Sequence, residues 1–241
     1  MKLKPAVRCL NRNQLKYIAA AAMAIDHIAA FFFPLSGGFY IVCRVIGRLT
    51  APIMCYFLAE GFYYTSSRKN YALRLFAFAL IAQPAYAFVH GLLAPVNLNV
   101  LFTLLLSFCM LAVWEGVRQP FLRWALAALL IALSACGDWG ITAPLWVLCF
   151  HLFRGNRARQ MTAFALIAGA DLVQIVLTNL LDGFVWYLNL WEAGLFLFIP
   201  LMLLYNGQRG SGGPFSKWFF YVFYPAHLLA IGLAMRYLPL Y

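Results

Sequence analysis

The sequence predicts an all-α polytopic membrane protein, a single bundle of about nine transmembrane helices with the N-terminus cytoplasmic and the C-terminus outside. Three observations predict it. Of 241 residues, 65% are hydrophobic and 10% charged, well under half the charge of a soluble domain. Apolar runs of roughly membrane-crossing length recur along the whole chain. Lysine and arginine alternate from loop to loop. Nine crossings of about 20 residues use roughly 180 positions, so residues 1–241 are read as one domain, with no soluble domain beside it.

The runs fall at about 17–33, 39–61, 71–90, 98–114, 121–136, 141–153, 161–181, 190–205 and 218–238. The first follows Lys2, Lys4, Arg8, Arg12 and Lys16, as in a signal peptide. It holds an Asp-His pair and further runs follow at once, so it reads as a retained helix. Pro34 with Gly37-Gly38 closes it; Gly91 with Pro95, Gly116 with Pro120, Gly137 to Gly140 and Gly207 to Pro214 separate later runs. The sixth run is short and contains Pro144. Runs five and six therefore fit either two crossings or a re-entrant hairpin, which would place Asp138 at its tip deeper in the membrane.

Fifteen of the eighteen Lys and Arg lie in the N-terminal stretch and in the even-numbered loops, around Arg68-Lys69-Arg74, Arg118-Arg123, Arg154-Arg157-Arg159 and Arg209-Lys217. The odd-numbered loops (34–38, 91–97, 137–140 and 182–189) carry none. Positive-inside sorting produces this pattern and fixes the orientation. It also accounts for the net charge of +11 without nucleic acid. Six cysteines (Cys9, Cys43, Cys55, Cys109, Cys136, Cys149) show no CxxC or His-paired spacing and read mostly as small core residues; no zinc site, other metal or disulfide framework is expected.

Ionisable groups at bilayer depth cost a few kcal/mol each on insertion scales, so each needs a reason. Asp26 and His27 fall in the outer half of the first run, Arg44 and Arg48 in the outer half of the second. The arginines are i and i+4 and leave one helix face. Asp26 and His27 are adjacent, about 100° apart around a helix; the simplest arrangement pairs Asp26 with the arginines and turns His27 elsewhere. Gln83, Asn97, Asn99 and Asp138 are expected at a similar depth, with His227 near the middle of the last run. Together these predict a polar cavity. The plainer readings stay open: a buried ion pair that holds helices together, and a satisfied core histidine. Glu60 reads as snorkelling or paired with Arg68 or Arg74, while Asp182, Glu192 and Arg236 read as exposed or interfacial.

At Met23-Ala-Ile-Asp-His27, followed by Arg44-Val-Ile-Gly-Arg-Leu-Thr-Ala-Pro52, the chain resembles the TraX family. The similarity continues through Glu60-Gly-Phe, Gln83 to Tyr86, Asn99-Val-Leu-Phe-Thr103, Asp138-Trp-Gly, Tyr205-Asn-Gly-Gln-Arg-Gly210 and Phe223-Tyr-Pro-Ala-His227-Leu. It departs at Trp139-Gly140, where a Tyr-Gly turn is expected. The Asp-His and Tyr-Pro-x-His-Leu segments are also similar to the wider class of membrane acyltransferases that use cytosolic acyl-coenzyme A. The resemblance implies a bacterial inner-membrane acetyltransferase that uses acetyl-CoA as donor. Its acceptor would be an amine or hydroxyl at the outer half of the membrane, a pilin-like protein N-terminus by analogy.

Thioester chemistry needs a base for the acceptor and donors for the developing oxyanion. His27 is the candidate base, with His227 as runner-up or orienting partner, and transfer through an acetyl-histidine is the alternative to a direct step. Arg44, Arg48 or Asn99 are candidate oxyanion donors, and Asp26 balances the arginine charge. Gln83, Asn97 and Asp138 would line the pocket. The loop Asn206-Gly207-Gln208-Arg209-Gly210 offers backbone N–H groups and a guanidinium to the coenzyme phosphates, or is a plain connection that obeys positive-inside sorting. A proton-coupled small-molecule transporter using the same charges, and a structural assembly factor, are the rival functions.

Overall fold

The computed structural model describes residues 8–35, 37–90, 97–210 and 213–237, with the side chains of 214–217 left aside. Lys2, Lys4, the breaker Gly91 with Pro95, part of the Gly207 to Pro214 stretch, the Lys217 side chain and the end of the last run lie outside what is described. The described residues are helical, joined by turns, with two isolated backbone bridges. Five helices are long and apolar enough to cross a membrane: Arg12–Phe32, Gly38–Tyr64, Arg68–His90, Arg157–Leu181 and Trp218–Tyr237. The shorter apolar helices are Val100–Gly116, Pro120–Ser134, Thr142–Leu152 and Leu190–Leu203. These are the helices of a multi-pass membrane protein. The chain forms two compact units, Met1–Met54 with Leu172–Phe220 and Cys55–Asp171 with Tyr221–Tyr241.

In the first unit, α1 (Arg12–Phe32) begins five residues before the expected 17. The reason is a capping box: the Asn11 side chain accepts from Gln14 N at 3.0 Å and the Gln14 side chain accepts from Asn11 N at 2.9 Å, satisfying two N–H groups the first turn leaves over. The single run expected over 39–61 is one candidate span, Gly38–Tyr64, built of α2 (Gly38–Gly47) and α3 (Thr50–Tyr64). Pro52 has no N–H to give the Arg48 carbonyl and its ring excludes that oxygen, so the α-helical ladder breaks at Arg48 and Leu49. The expected eighth helix is also irregular. Asn189, in the left-handed region at φ 67°, starts a 3-10 segment, Leu190–Leu197, which passes into α9 (Phe198–Leu203). A 3-10 run this long is unusual and marks a local constraint.

That constraint is close packing. A Cβ on Gly194 would overlap the Val45 carbonyl oxygen, and a Cβ on Gly47 would overlap the Asp26 side chain. Ala19, Ala22 and Ala29 are buried along α1. Small residues of this kind let backbones approach where lipid supplies no hydrophobic force between helices. At the other end of α1, Leu10 N donates to Leu204 O at 3.0 Å, Asn206 N to Leu10 O at 2.9 Å and Arg12 N to Gln208 O at 2.8 Å, stitching the 204–210 loop to the helix start.

The second unit contains α4 (Arg68–His90), α5 (Val100–Gly116), α6 (Pro120–Ser134) and α7 (Thr142–Leu152), with parts of α3, α8 (Arg157–Leu181) and α10 (Pro214–Tyr237). Capping side chains again set the starts: Asn99 accepts from Leu101 N at 3.0 Å, Gln119 accepts from Leu122 N and precedes Pro120, and Asn156 accepts from Arg159 N at 3.0 Å. α5 packs against α4, α6 and α7. The 11 residues of α7 extend roughly 17 Å, little more than half of a ~30 Å hydrocarbon core. The α6–α7 turn is tied to the start of α5, because Leu98 N donates to Cys136 O at 2.9 Å and Asp138 N to Leu98 O at 2.8 Å.

Two glycines test the packing account. Gly194→Ala forces Val45 backbone aside and is expected to destabilise the protein by about 1–3 kcal/mol. Gly169→Ala, where a Cβ meets nothing within 4 Å on α8, is expected to be neutral or stabilising by up to about 1 kcal/mol. Thermal unfolding of both variants in detergent measures the difference.

Candidate functional site

Among the described residues, four charged side chains gather in the first unit. Asp26 is buried on α1, and its carboxylate accepts from Arg44 Nη1 at 2.8 Å and from Arg48 Nη2 at 2.8 and 2.9 Å. Arg48 Nη1 also donates to Glu192 Oε1 at 2.9 Å. The i, i+4 spacing of the arginines on α2 and at its end gives both guanidiniums one direction, and Gly47 between them gives the Asp26 carboxylate room. The Arg44 guanidinium lies 5.9 Å from the Tyr40 ring centre and 5.6 Å from that of Trp191, and the two rings meet edge to face at 5.5 Å.

The cluster therefore holds two guanidiniums and two carboxylates. Their side chains are 11–21% exposed, so each charge has its counter-charge where desolvation is severe. Glu192 corrects an expectation: read as exposed or interfacial, it is an inward partner of Arg48. A lone carboxylate in an apolar stretch was the available signal, but nothing in the spacing joins position 192 to position 48.

His27 leaves α1 about 100° around the helix from Asp26. Its Nδ1 is 2.8 Å from the Met23 carbonyl oxygen, and its ring stacks toward Phe31 at 6.4 Å. A carbonyl only accepts, so Nδ1 carries the hydrogen and the neutral ring has its lone pair on Nε2. His227 in the second unit is built alike, with Nδ1 2.9 Å from Phe223 O and its ring parallel to Phe223. His90 repeats the pattern on Tyr86 O at 3.1 Å. This local geometry belongs to helical histidines generally; the neighbours distinguish them.

The loop Asn206 to Gly210 lies at the opposite end of α1 from Asp26, roughly 21 Å along the helix axis. Gly207 and Gly210 adopt φ of 79° and 78°, conformations natural to glycine, and Gln208 N donates to the Asn206 side chain at 2.8 Å. Arg209 is exposed there. Arg12 and Arg209 both act on the charge of Lys16, whose ammonium sits 5.2 Å from the Phe220 ring centre.

The amides expected to line a pocket serve as clamps in the second unit. Gln83 Nε2 donates to Asn97 O at 2.9 Å, and Gln83 Oε1 accepts from Asn99 N at 3.0 Å and Asn99 Nδ2 at 2.7 Å. Asn99 Nδ2 also donates to Ala79 O at 2.8 Å. Both amide hydrogens of Asn99 are thus engaged and its oxygen caps α5, so in this conformation Asn99 joins α4 to α5 and offers no donor to an oxyanion. Asp138 accepts from Trp139 N at 3.0 Å through its side chain and from Thr103 Oγ1 at 2.6 Å through its carbonyl. The Asp138 carboxylate acts electrostatically on the hydroxyls of Tyr86 and Tyr224, and Tyr224 lies beside His227 at 5.7 Å between ring centres. A second set of charges pairs Glu60 with Arg154 at 3.2 Å, rather than with Arg68 or Arg74, while Arg68 takes Glu115 at 2.5 Å.

A multi-pass helical protein that buries a balanced charge cluster beside a histidine defines the class. The chain belongs to the TraX family: the model of that family, described as TraX protein, matches residues 11–235. The chain is 33% identical over 243 residues to a probable fimbrial assembly protein of Dichelobacter nodosus, FimC of serogroup H1, with 93% of this chain and 96% of that protein covered. A shorter likeness, 36% over 52 residues, covers 22% of this chain and 19% of an uncharacterized protein of Rickettsia prowazekii (strain Madrid E). No solved structure matches significantly.

Removing the Asp26 carboxylate leaves two guanidiniums with one acid between them. Asp26→Ala is expected to destabilise the protein by about 3–5 kcal/mol. Glu192→Gln, which keeps a hydrogen-bond acceptor for Arg48, is expected to lose about 1 kcal/mol. Melting of the purified variants in detergent compares the two.

Proposed function

We propose that the protein is a membrane acetyltransferase. It moves an acetyl group from cytosolic acetyl-CoA to an acceptor amine or hydroxyl at the outer half of a bacterial inner membrane, with the N-terminus of a pilin-like protein as the favoured acceptor. The observation that carries the reading is His27, whose Nδ1 is taken by the Met23 carbonyl so that Nε2 is the ring's other nitrogen, one residue from a carboxylate that organises two half-buried guanidiniums. Membership of the TraX family and a relative named for fimbrial assembly support the acceptor class.

In this reading the acceptor nitrogen attacks the acetyl carbonyl carbon, the new C–N bond forms and the C–S bond breaks. The proton leaving nitrogen passes to His27 Nε2 and from there to the departing thiolate, so free coenzyme and neutral histidine result. Arginine nitrogens stabilise the oxyanion between these events, and Asp26 fixes their direction. The coenzyme phosphates rest at the 206–210 loop near Arg209 and Arg12, and the pantetheine arm reaches along α1 toward the cluster. The chain crosses about nine times in this arrangement, with the N-terminus inside and the C-terminus outside.

Purified protein in nanodiscs, given acetyl-CoA and a peptide with a free N-terminus, is expected to release coenzyme thiol and acetylate the peptide. His27→Ala is expected to reduce this at least about 100-fold, within the range of a positioned base. Equal release by wild type and variant, or none with any acceptor, would turn the reading to transport. Topology has its own test. Cys9 and Cys136 are exposed, free thiols. A membrane-impermeant maleimide applied to spheroplasts is expected to label single-cysteine Asp182→Cys but leave Cys9 untouched, and the reverse result inverts the orientation. Labelling of Cys136 then reports how far the α6–α7 turn is withdrawn from the outer face.

A further inference from the structure

The charge cluster in the first unit has donors that its own carboxylates do not use. Arg44 spends Nη1 on Asp26, and Arg48 spends its terminal nitrogens on Asp26 and Glu192. Arg44 Nε and the Trp191 indole Nε1 are buried and have no hydrogen-bond acceptor among the described residues. The two side chains are neighbours, with the guanidinium carbon 5.6 Å from the Trp191 ring centre. Buried indole N–H groups ordinarily have a partner, and a buried donor left without one marks a place where an acceptor is missing or arrives with a ligand.

The chemistry of that acceptor follows from charge. Two guanidiniums face two carboxylates, so a permanently anionic ligand such as a phosphate gains no net attraction here. A neutral carbonyl is different. Its oxygen accepts from both donors, and charge develops on it only as a nucleophile adds, when fixed donors in a low-dielectric site act most strongly. Trp191 sits on the 3-10 segment, held against α2 by the close approach of Gly194 to Val45, so the indole is placed by backbone packing.

We propose that Trp191 Nε1–H and Arg44 Nε–H bind the carbonyl oxygen of the acyl donor and form the oxyanion site of the reaction. This rests on the acetyltransferase reading and adds to it a residue that carries no charge and stands outside the Asp-His and arginine motifs. Of the arginine pair it assigns the carbonyl to Arg44, whose guanidinium lies 5.6 Å from the Trp191 ring centre, while Arg48 holds Asp26 and Glu192.

Trp191→Phe tests this, because phenylalanine keeps an aromatic face for Arg44 and Tyr40 and removes the N–H together with one ring of the indole, whose packing loss the thermal melt reads separately. With acetyl-CoA and the acceptor peptide, kcat is expected to fall by about 10- to 100-fold while KM for acetyl-CoA changes by less than about twofold. Trp186→Phe, at an exposed indole, is expected to match wild type. A purely packing role would lower thermal stability and raise KM together, and that pattern, or an unchanged kcat, overturns the proposal. A second arm does not depend on turnover. The protein is labelled with 15N-indole tryptophan and titrated with a non-cleavable ketone analogue of acetyl-CoA. The Trp191 signal, assigned by its loss in Trp191→Phe, is expected to move downfield at saturation. No movement overturns the proposal even if wild type is active. Movement in a protein that transfers no acetyl group sustains the carbonyl site and rejects the acetyltransferase reading alone.

Discussion

The structure of the first unit depends on one carboxylate shared by two guanidiniums. In a bilayer an ionised side chain without a counter-charge is expensive, and breaking a buried pair is worse than never having formed it. Asp26 therefore fixes where α1 stands against α2. Gly47 has no Cβ so that the carboxylate fits, and the break enforced by Pro52 falls where Arg48 must turn to reach both Asp26 and Glu192. Glu192 in turn needs its 3-10 segment drawn against Val45, which Gly194 permits. The break after α2 and the 3-10 segment thus each carry a charge of the cluster.

The second unit uses polar groups differently. Gln83, Asn97 and Asn99 satisfy one another and the backbone almost completely, which is what rigid joints between apolar helices require. The Arg68–Glu115 and Arg154–Glu60 pairs do the same with charge, aided by aromatic rings such as Tyr63, 3.4 Å from the Arg154 guanidinium. A network whose valences are filled holds a shape. A cluster that keeps buried donors in reserve, as Arg44 and Trp191 do, is suited to meet a substrate.

Within the TraX family reading, the length of α1 gives the proposed reaction its geometry. One end of the helix carries the Asn11 cap, Arg12, Lys16 and the adjoining 206–210 loop; the other carries Asp26 and His27. A donor made in the cytosol would meet basic groups at one end and a desolvated carbonyl site at the other. The neutral total of the cluster favours a ligand that becomes charged only while reacting.

Much of this was legible in the sequence, for reasons particular to the residues. Composition and the loop-by-loop alternation of bases predicted a helical membrane protein, because lipid tolerates few charges and backbone groups must be paired internally. The i, i+4 arginines and the 100° offset of Asp26 from His27 anticipated the ion pair and the separate direction of the histidine, since both follow from helix geometry alone. Caps at Asn11 and Asn156 start two helices earlier than the apolar runs alone predicted. The sequence could not supply Glu192 as the partner of Arg48, Arg154 as that of Glu60, or the engagement of Asn99 by Ala79 and Gln83. Those pairings join positions far apart along the chain. Periodicity reports only which face of a helix a residue occupies; which neighbour that face meets is decided by close packing of whole helices.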